Sequence, residues 1–204
     1  MKARDPSIQI VINGYSRNEW NEPLLRIAGK YADAFQFHIY RTPRINNYAQ
    51  LEGRPHQATD GMRMADDVPG LLGDVEGLMR KHLGRTLPII ISEFGMGNAR
   101  NREFMTSVTS PVLVADIWRT LVESPAVFGA NKWCLFTGYW FSQIQGPTLA
   151  QPDAPYYNRP EHAMHVIYAR CRAPARLAVD NEASEGARAV VFKRAEAVFL
   201  SLVR

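Results

Sequence analysis

Cysteine and long apolar runs are scarce in this chain of 204 residues. Two cysteines, Cys134 and Cys171, are too few for a disulfide framework. Both lie in apolar stretches, which predicts that they are small residues of the core. No apolar run reaches the roughly 18 residues that a membrane helix requires, which predicts no membrane span. The opening residues, MKARDPS, contain no apolar segment of the signal-peptide type, so they indicate no cellular location.

Lysine is also rare: the net charge of +4 is carried by 19 arginines and only five lysines. A nucleic-acid-binding protein gathers its basic residues in a stripe with interleaved aromatics. Here acidic residues accompany the basic ones, as in DDVPGLLGDVEGLMRKHLGR from residue 66. We therefore predict no nucleic-acid partner. With 46% apolar residues, the chain is instead typical of a globular protein.

Metal-ligand spacing is absent from the histidine positions. His56, His82, His162 and His165 have no Cys or carboxylate at ligand spacing, apart from Glu161 next to His162, which is a weak signal. The sequence predicts no metal site and no cofactor.

A repeated pattern of short apolar run, loop and amphipathic helix fills most of the chain. It predicts strands at 8–14, 34–40, 88–93 and 132–137, each followed by a helix. A parallel pair of strands needs a crossover of this kind, so the pattern indicates an α/β protein with four parallel strand–helix units. The long segment 41–66 reads as a loop after the second strand.

The pattern changes near the C-terminus. Residues 176–179, 187–192 and 197–203 are predicted as short antiparallel strands. We therefore predict an α/β region over 1–174 and the start of a separate β element over 175–204.

The most pointed chemical feature is the segment IIISEFG, residues 89–95, in which Glu93 ends a buried strand. Function in parallel α/β folds collects at the carboxyl ends of strands. A carboxylate there must be solvated, paired or catalytic, because burying it alone is costly. The alternative to catalysis is a Glu that caps the next helix or pairs with an Arg.

Two further groups stand at strand ends. Alternation places His38 and Tyr40 on one face of the second strand, where a tyrosine hydroxyl can bond a neighbouring carboxylate. Trp133, Tyr139 and Trp140 stand at and beyond the fourth strand, and aromatic platforms there suit sugar rings. Simple core packing is the alternative for both groups.

In this order, the segments DPSIQIVINGYS, YADAFQFHIY, PIIISEFG and KWCLFTGYW resemble the C-terminal half of a retaining glycoside hydrolase of clan A. The nearest resemblance is to the family 51 α-L-arabinofuranosidases, and the family 39 xylosidases come second. It covers about residues 4–173. Its matching parts are the DPSI strand opening, the D-x-x-x-x-H-x-Y strand from Asp33 to Tyr40, and the strand that ends in Glu93.

The resemblance implies a (β/α)8 TIM barrel, of which this chain holds strands five to eight. Glu93 corresponds to the catalytic nucleophile, with Tyr40 as its partner. His38 and Trp133 correspond to residues that bind the substrate, to which the aromatic platform adds Tyr139 and Trp140. The implied reaction is retaining hydrolysis of α-L-arabinofuranosides or similar pentosides.

The general acid/base of that family is a Glu in an Asn-Glu pair that precedes the DPSI segment, and the resemblance places it outside these 204 residues. Glu19, Glu103 and Asp153 are poor substitutes by position. We expect little activity from this chain alone, a carbohydrate substrate, and either an N-terminal half-barrel chain or self-association at open sheet edges. Two alternatives stay open: an inactive remnant that at most binds carbohydrate, and an α/β domain in which Glu93 is structural.

Overall fold

A computed structural model describes the backbone of residues 1–41, 65–96, 109–137, 142–147, 151–170, 175–177, 188–194 and 197–203. These residues form two compact units. The first contains the parallel sheet and its first two helices. The second contains the later helices and the residues from Trp133 onward.

Four strands in sequential order form the parallel sheet of the first unit. They are β1 (Val11–Asn13), β2 (Ala34–Arg41), β3 (Ile89–Met96) and β4 (Val127–Lys132). The helices that follow them in the chain are α1 (Asn18–Ala28), α2 (Val68–Leu83), α3 (Thr109–Glu123) and α4 (Pro160–Arg170). The predicted succession of strand–helix units is confirmed.

One face of the central strands builds the core of the first unit. Phe35, Phe37 and Ile39 alternate along β2 and are fully buried, as are Ile89 and Ile91 of β3. The helices contribute buried apolar residues to the same unit: Leu25 of α1 and Leu72, Val75 and Met79 of α2. Period-two burial on the strands and helical spacing on α2 are the patterns that the apolar runs predict.

Two glycines shape this unit. A Cβ at Gly14 would lie 2.0 Å from Cζ of Phe35, so the turn after β1 needs a glycine for the phenyl ring to fit. Gly84 ends α2 with a positive φ of 66°. An L side chain would be strained in that left-handed conformation, which explains a glycine at the helix end.

The fourth strand differs from the prediction. The parallel strand is β4, Val127–Lys132, whereas the predicted segment 132–137 begins where β4 ends. Trp133, Cys134, Leu135 and Phe136 are apolar in sequence, which favoured them as a buried strand, but Leu135 and Phe136 are exposed. The true strand, VFGANK, contains Gly129 and Asn131 and therefore lacks a continuous apolar run.

Two smaller sheets belong to the second unit. The strands β5 (Phe136–Thr137), β6 (Ile144–Gln145) and β7 (Tyr157–Asn158) form one of them, with β6 parallel to β5 and antiparallel to β7. Near the C-terminus, β8 (Ala175–Leu177), β9 (Arg188–Arg194) and β10 (Ala197–Val203) are antiparallel. The predicted antiparallel strands are confirmed, while the domain boundary at 174 stays a prediction.

Polar and aromatic contacts join α3 to α4 in the second unit. Trp118 stacks on Tyr168 with ring centroids 5.4 Å apart, and the Tyr168 hydroxyl donates to the carbonyl of Ala115. The Ser110 hydroxyl donates to the buried carboxylate of Glu161. Glu161, which neighbours His162 in sequence, thus contributes to helix packing.

Candidate active site

The open face of β2 carries three polar side chains in alternation. Gln36, His38 and Tyr40 occupy the face opposite to the buried Phe35 and Phe37, and His38 is exposed. Because successive side chains of a strand point to opposite faces, burial of the odd positions leaves the even ones available for chemistry.

A shift in strand register brings Glu93 to that face. Ile91 pairs with Ala130 and Phe94 with Lys132, so three steps along β3 match two along β4. Without the extra residue, Glu93 would share the buried face of Ile89 and Ile91. The extra residue forms a β-bulge. Phe94, which is fully buried, therefore lies on that face, and Glu93 points to the opposite side.

Glu93 meets both polar side chains of β2. The Tyr40 hydroxyl donates to Oε2 of Glu93 at 2.7 Å, and Nδ1 of His38 lies 3.3 Å from the same oxygen. The His38 and Tyr40 rings meet edge to face, with centroids 6.4 Å apart. The structure therefore brings together three of the predicted site residues, Glu93, Tyr40 and His38, at the carboxyl ends of neighbouring strands.

The two oxygens of the Glu93 carboxylate are unequally engaged. Oε2 receives both contacts, and no residue in the described part of the chain bonds Oε1. The carboxylate itself is half-buried. Such a carboxylate is oriented through one oxygen, an arrangement compatible with nucleophilic attack by the other.

Of the three predicted aromatic residues, only Trp133 lies in the described part of the chain. Trp133 follows β4 directly, belongs to the second unit and is exposed. Tyr139, Trp140 and nearly all of the segment 41–66 lie outside the described residues. A role for these three aromatics in sugar binding stays a prediction.

Sequence reasoning missed a polar pair beside the site. The Gln36 side-chain amide donates to Oδ1 of Asn13 at 3.4 Å, which joins β1 to β2 on the face of His38 and Tyr40. Alternation within AFQFHIY already places Gln36 with His38. Asn13 is harder to recognise, because its partner becomes evident only from the register of the two strands.

Asp33 anchors the start of β2. Its carboxylate accepts hydrogen bonds from Nζ of Lys2 at 2.6 Å and from the Ile10 backbone N–H at 2.7 Å. These bonds, the one from Lys2 first, lower the pKa of Asp33 below its ordinary value. The first residue of the D-x-x-x-x-H-x-Y segment thus fixes the strand that carries His38 and Tyr40.

The second unit holds a buried guanidinium. Burial lowers the pKa of Arg159 from its ordinary value, and the negative charge of Glu161 opposes that shift. An Arg normally titrates far above neutral pH, so Arg159 remains a cation. It stands directly before α4, beside the bond between Ser110 and Glu161.

Neither metal clusters nor membrane helices occur in the described part of the chain. No group of three or more His, Cys, Asp or Glu side chains could hold a metal ion among those residues. No helix among them is long and apolar enough to cross a bilayer.

The parallel strand–helix units define half of a (β/α)8 barrel of the kind found in glycoside hydrolases. The chain is similar in structure to a GH51 arabinofuranosidase from Xanthomonas axonopodis pv. citri, with a TM-score of 0.66 and 12% identity over 97% of this chain and 44% of that one. A family 51 α-L-arabinofuranosidase from Bifidobacterium longum gives a TM-score of 0.67 and 15% identity over 94% and 43% of the two chains.

A GH86 glycoside hydrolase solved in complex with neoagarooctaose is also similar, with a TM-score of 0.73 and 12% identity over 98% of this chain and 33% of that one. The chain thus spans less than half the length of each of these structures. No protein-family model and no curated protein sequence matches it.

Proposed function

We propose that this chain is the C-terminal half of a retaining glycosidase that acts on α-L-arabinofuranosides or similar pentosides, with Glu93 as the nucleophile. The observation that carries the proposal is the contact between Glu93 and Tyr40 at the strand ends. The fold shared with GH51 arabinofuranosidases supports the substrate class.

Each residue has a distinct role in the proposed reaction. Oε1 of Glu93 attacks the anomeric carbon, the bond to the leaving oxygen breaks, and a covalent glycosyl-enzyme forms. The Tyr40 hydroxyl holds Oε2 and so orients the carboxylate. His38 and Trp133 contact the sugar, together with Tyr139 and Trp140. Water then releases the sugar with retention of configuration.

The leaving oxygen needs a proton from a second carboxyl about 5 Å from the nucleophile. Glu19 lies in the first turn of α1, and Glu22 pairs with Lys81 and His82 of α2. Glu103 lies outside the described residues, and Asp153 has no observed contact with Glu93. Following the resemblance, we assign the general acid/base to an N-terminal half of the barrel.

The surface of the first unit supports such a partner. Trp20, Ile27 and Tyr31 are exposed at positions seven and four residues apart, so they form one apolar stripe along α1 and the turn after it. Beside it, β1 is an outer strand with its second edge open among the described strands. A neighbouring strand–helix unit would cover both, and self-association through these edges is the alternative.

An epoxide inhibitor with the configuration of arabinofuranose tests the role of Glu93. A carboxylate nucleophile opens the epoxide ring and remains attached to the inhibitor as an ester. We expect intact-mass spectrometry and peptide mapping to find one label, on Glu93. The matched variant Glu93→Gln keeps the size of the side chain and should remain unlabelled. Tyr40→Phe removes only the hydroxyl and should slow labelling about 10- to 150-fold, since a hydrogen bond to a charged group contributes about 1.5–3 kcal/mol.

A second candidate function is a remnant that binds carbohydrate without hydrolysis. The observation that favours it is the lack of a second carboxylate bonded near Glu93 in the described residues. A folded chain that binds arabinan but resists the epoxide, alone and beside a complementary half-barrel, would support the remnant. Labelling of a residue other than Glu93 would contradict the assignment of the nucleophile.

A further inference from the structure

The segment that links β4 to α4 has an unusual composition. Residues 133–158 contain seven aromatic residues, four side-chain amides and a single charged residue, Asp153. The whole chain is 22% charged, so 26 average residues would carry five or six charges. Aromatic rings with neutral amides suit an uncharged, hydroxyl-rich ligand, whereas a nucleic-acid surface requires cations.

The sheet formed by β5, β6 and β7 places two of these rings side by side. Phe136 pairs with Ile144, and Ile144 pairs with Asn158, so these three residues share one face. Two residues from Ile144 and Asn158 along the chain, Gly146 and Tyr156 lie on the same face. The Phe136 and Tyr156 rings meet there, with centroids 5.5 Å apart and planes inclined by 38°.

Gly146 makes this ring pair possible. A Cβ at Gly146 would lie 2.6 Å from Cε1 of Tyr156 and 2.7 Å from Cε2 of Phe136. Any side chain there would push the rings apart. The rings are nevertheless open to solvent, with Phe136 46% and Tyr156 67% exposed. Two exposed rings held together over a glycine form a defined surface.

We infer that the Phe136–Tyr156 ring pair is a binding site for a neutral carbohydrate chain. The apolar C–H face of a sugar ring stacks on the aromatic rings, and the exposed amide of Asn158 on the same face bonds a sugar hydroxyl. The inference rests on the proposed function only for the class of ligand. It adds residues that the chemistry at Glu93 does not use.

Native affinity electrophoresis in gels that contain linear arabinan, arabinoxylan or agarose tests the site. The background is Glu93→Gln, so that hydrolysis cannot erode the polysaccharide. We expect retardation by at least one of the three, and a two- to tenfold weaker affinity in Phe136→Ala and Tyr156→Ala, about the value of one aromatic stacking contact. Phe128→Ala removes an exposed phenyl ring from the first unit and should leave retardation unchanged.

Tyr156→Phe keeps the ring and should bind nearly as well as the parent, which separates stacking from loss of fold. Thermal unfolding of each variant checks the fold independently. Unchanged retardation in both alanine variants, or none with any of the three polysaccharides, would overturn the inference. Sedimentation provides a further check. If the parent is an oligomer that both alanine variants dissociate, while retardation stays unchanged, the rings contact a second copy and the inference is wrong.

The outcomes separate this site from the proposed nucleophile. If Glu93 is labelled by the epoxide but the ring variants bind normally, only the ring site is wrong. If the ring variants lose retardation while Glu93 resists labelling, the site stands and the catalytic proposal fails.

Discussion

The inner strands of the parallel sheet, β2 and β3, contrast with its outer strands, β1 and β4. Each inner strand has a neighbour on both sides, and its core face is fully buried at Phe35, Phe37, Ile89 and Ile91. Each outer strand has one neighbour among the described strands, and Val11 and Phe128 are exposed, the latter by 81%. The contacting site residues Glu93, Tyr40 and His38 stand on the inner strands.

In the first unit, the inner strands bury most of their apolar side chains, whereas the outer strands expose some of theirs. The inner strands bury one face completely, and the extra residue in β3 places Glu93 against Tyr40. The outer strands expose apolar side chains and have an edge without a neighbour among the described strands, whereas closed barrels give every strand two neighbours. Side chains of this chain thus orient the proposed nucleophile, while we propose that an N-terminal half-barrel supplies the acid and closes the barrel.

Two phenylalanines, one on an inner and one on an outer strand, should contribute very differently to the free energy of unfolding. Phe37→Ala should lower the free energy of unfolding by about 3–5 kcal/mol, because it opens a cavity on the buried face of β2. Phe128→Ala, on β4, should change it by less than about 0.5 kcal/mol, because its ring is already in water. Urea unfolding followed by circular dichroism measures both. Equal losses would mean that the outer strand is as well packed as the inner one.

A smaller effect concerns Asp33, whose carboxylate accepts hydrogen bonds from Lys2 and from the backbone of Ile10. The folded pKa of Asp33 is lowered, so its contribution to stability is complete above its ordinary pKa of about 4 and is lost as the pH falls through the folded value. Asp33→Asn lacks this contribution, so its unfolding midpoint should fall less than that of the parent between about pH 7 and pH 3. Asp74→Asn, at an exposed position of α2, serves as the control. Parallel pH profiles for Asp33→Asn and the parent would contradict the assignment.

Much of the fold was predictable because local pattern and tertiary role agree. β2 alternates buried apolar with polar residues, β3 begins with an apolar run, and Pro160 begins α4 as expected. The fourth strand was misplaced because β4 is defined by its pairing with β3, while none of its residues is buried and its composition shows no apolar run. An apolar run such as WCLF is therefore ambiguous between a strand and an exposed loop segment.

The proximity of Tyr40 to Glu93 was predictable, but the register shift that turns Glu93 to the face of Tyr40 was not. Alternation alone places His38 and Tyr40 together, since β2 is regular. The same rule would have turned Glu93 toward the core, because the extra residue between Ile91 and Phe94 leaves no trace in local composition. Partners that depend on strand register, such as Asn13 for Gln36, are equally invisible in the sequence.

We propose that Glu93 of this chain is the nucleophile and that an N-terminal half-barrel supplies the acid. The most direct test is the turnover of an aryl α-L-arabinofuranoside by the chain alone and by the chain joined to a matching N-terminal half-barrel. We predict hardly any turnover alone, an increase of about 10²–10⁴-fold on joining, and loss of that gain in Glu93→Ala. Equal turnover without the second half, or none from a well-folded joined pair, would contradict the account.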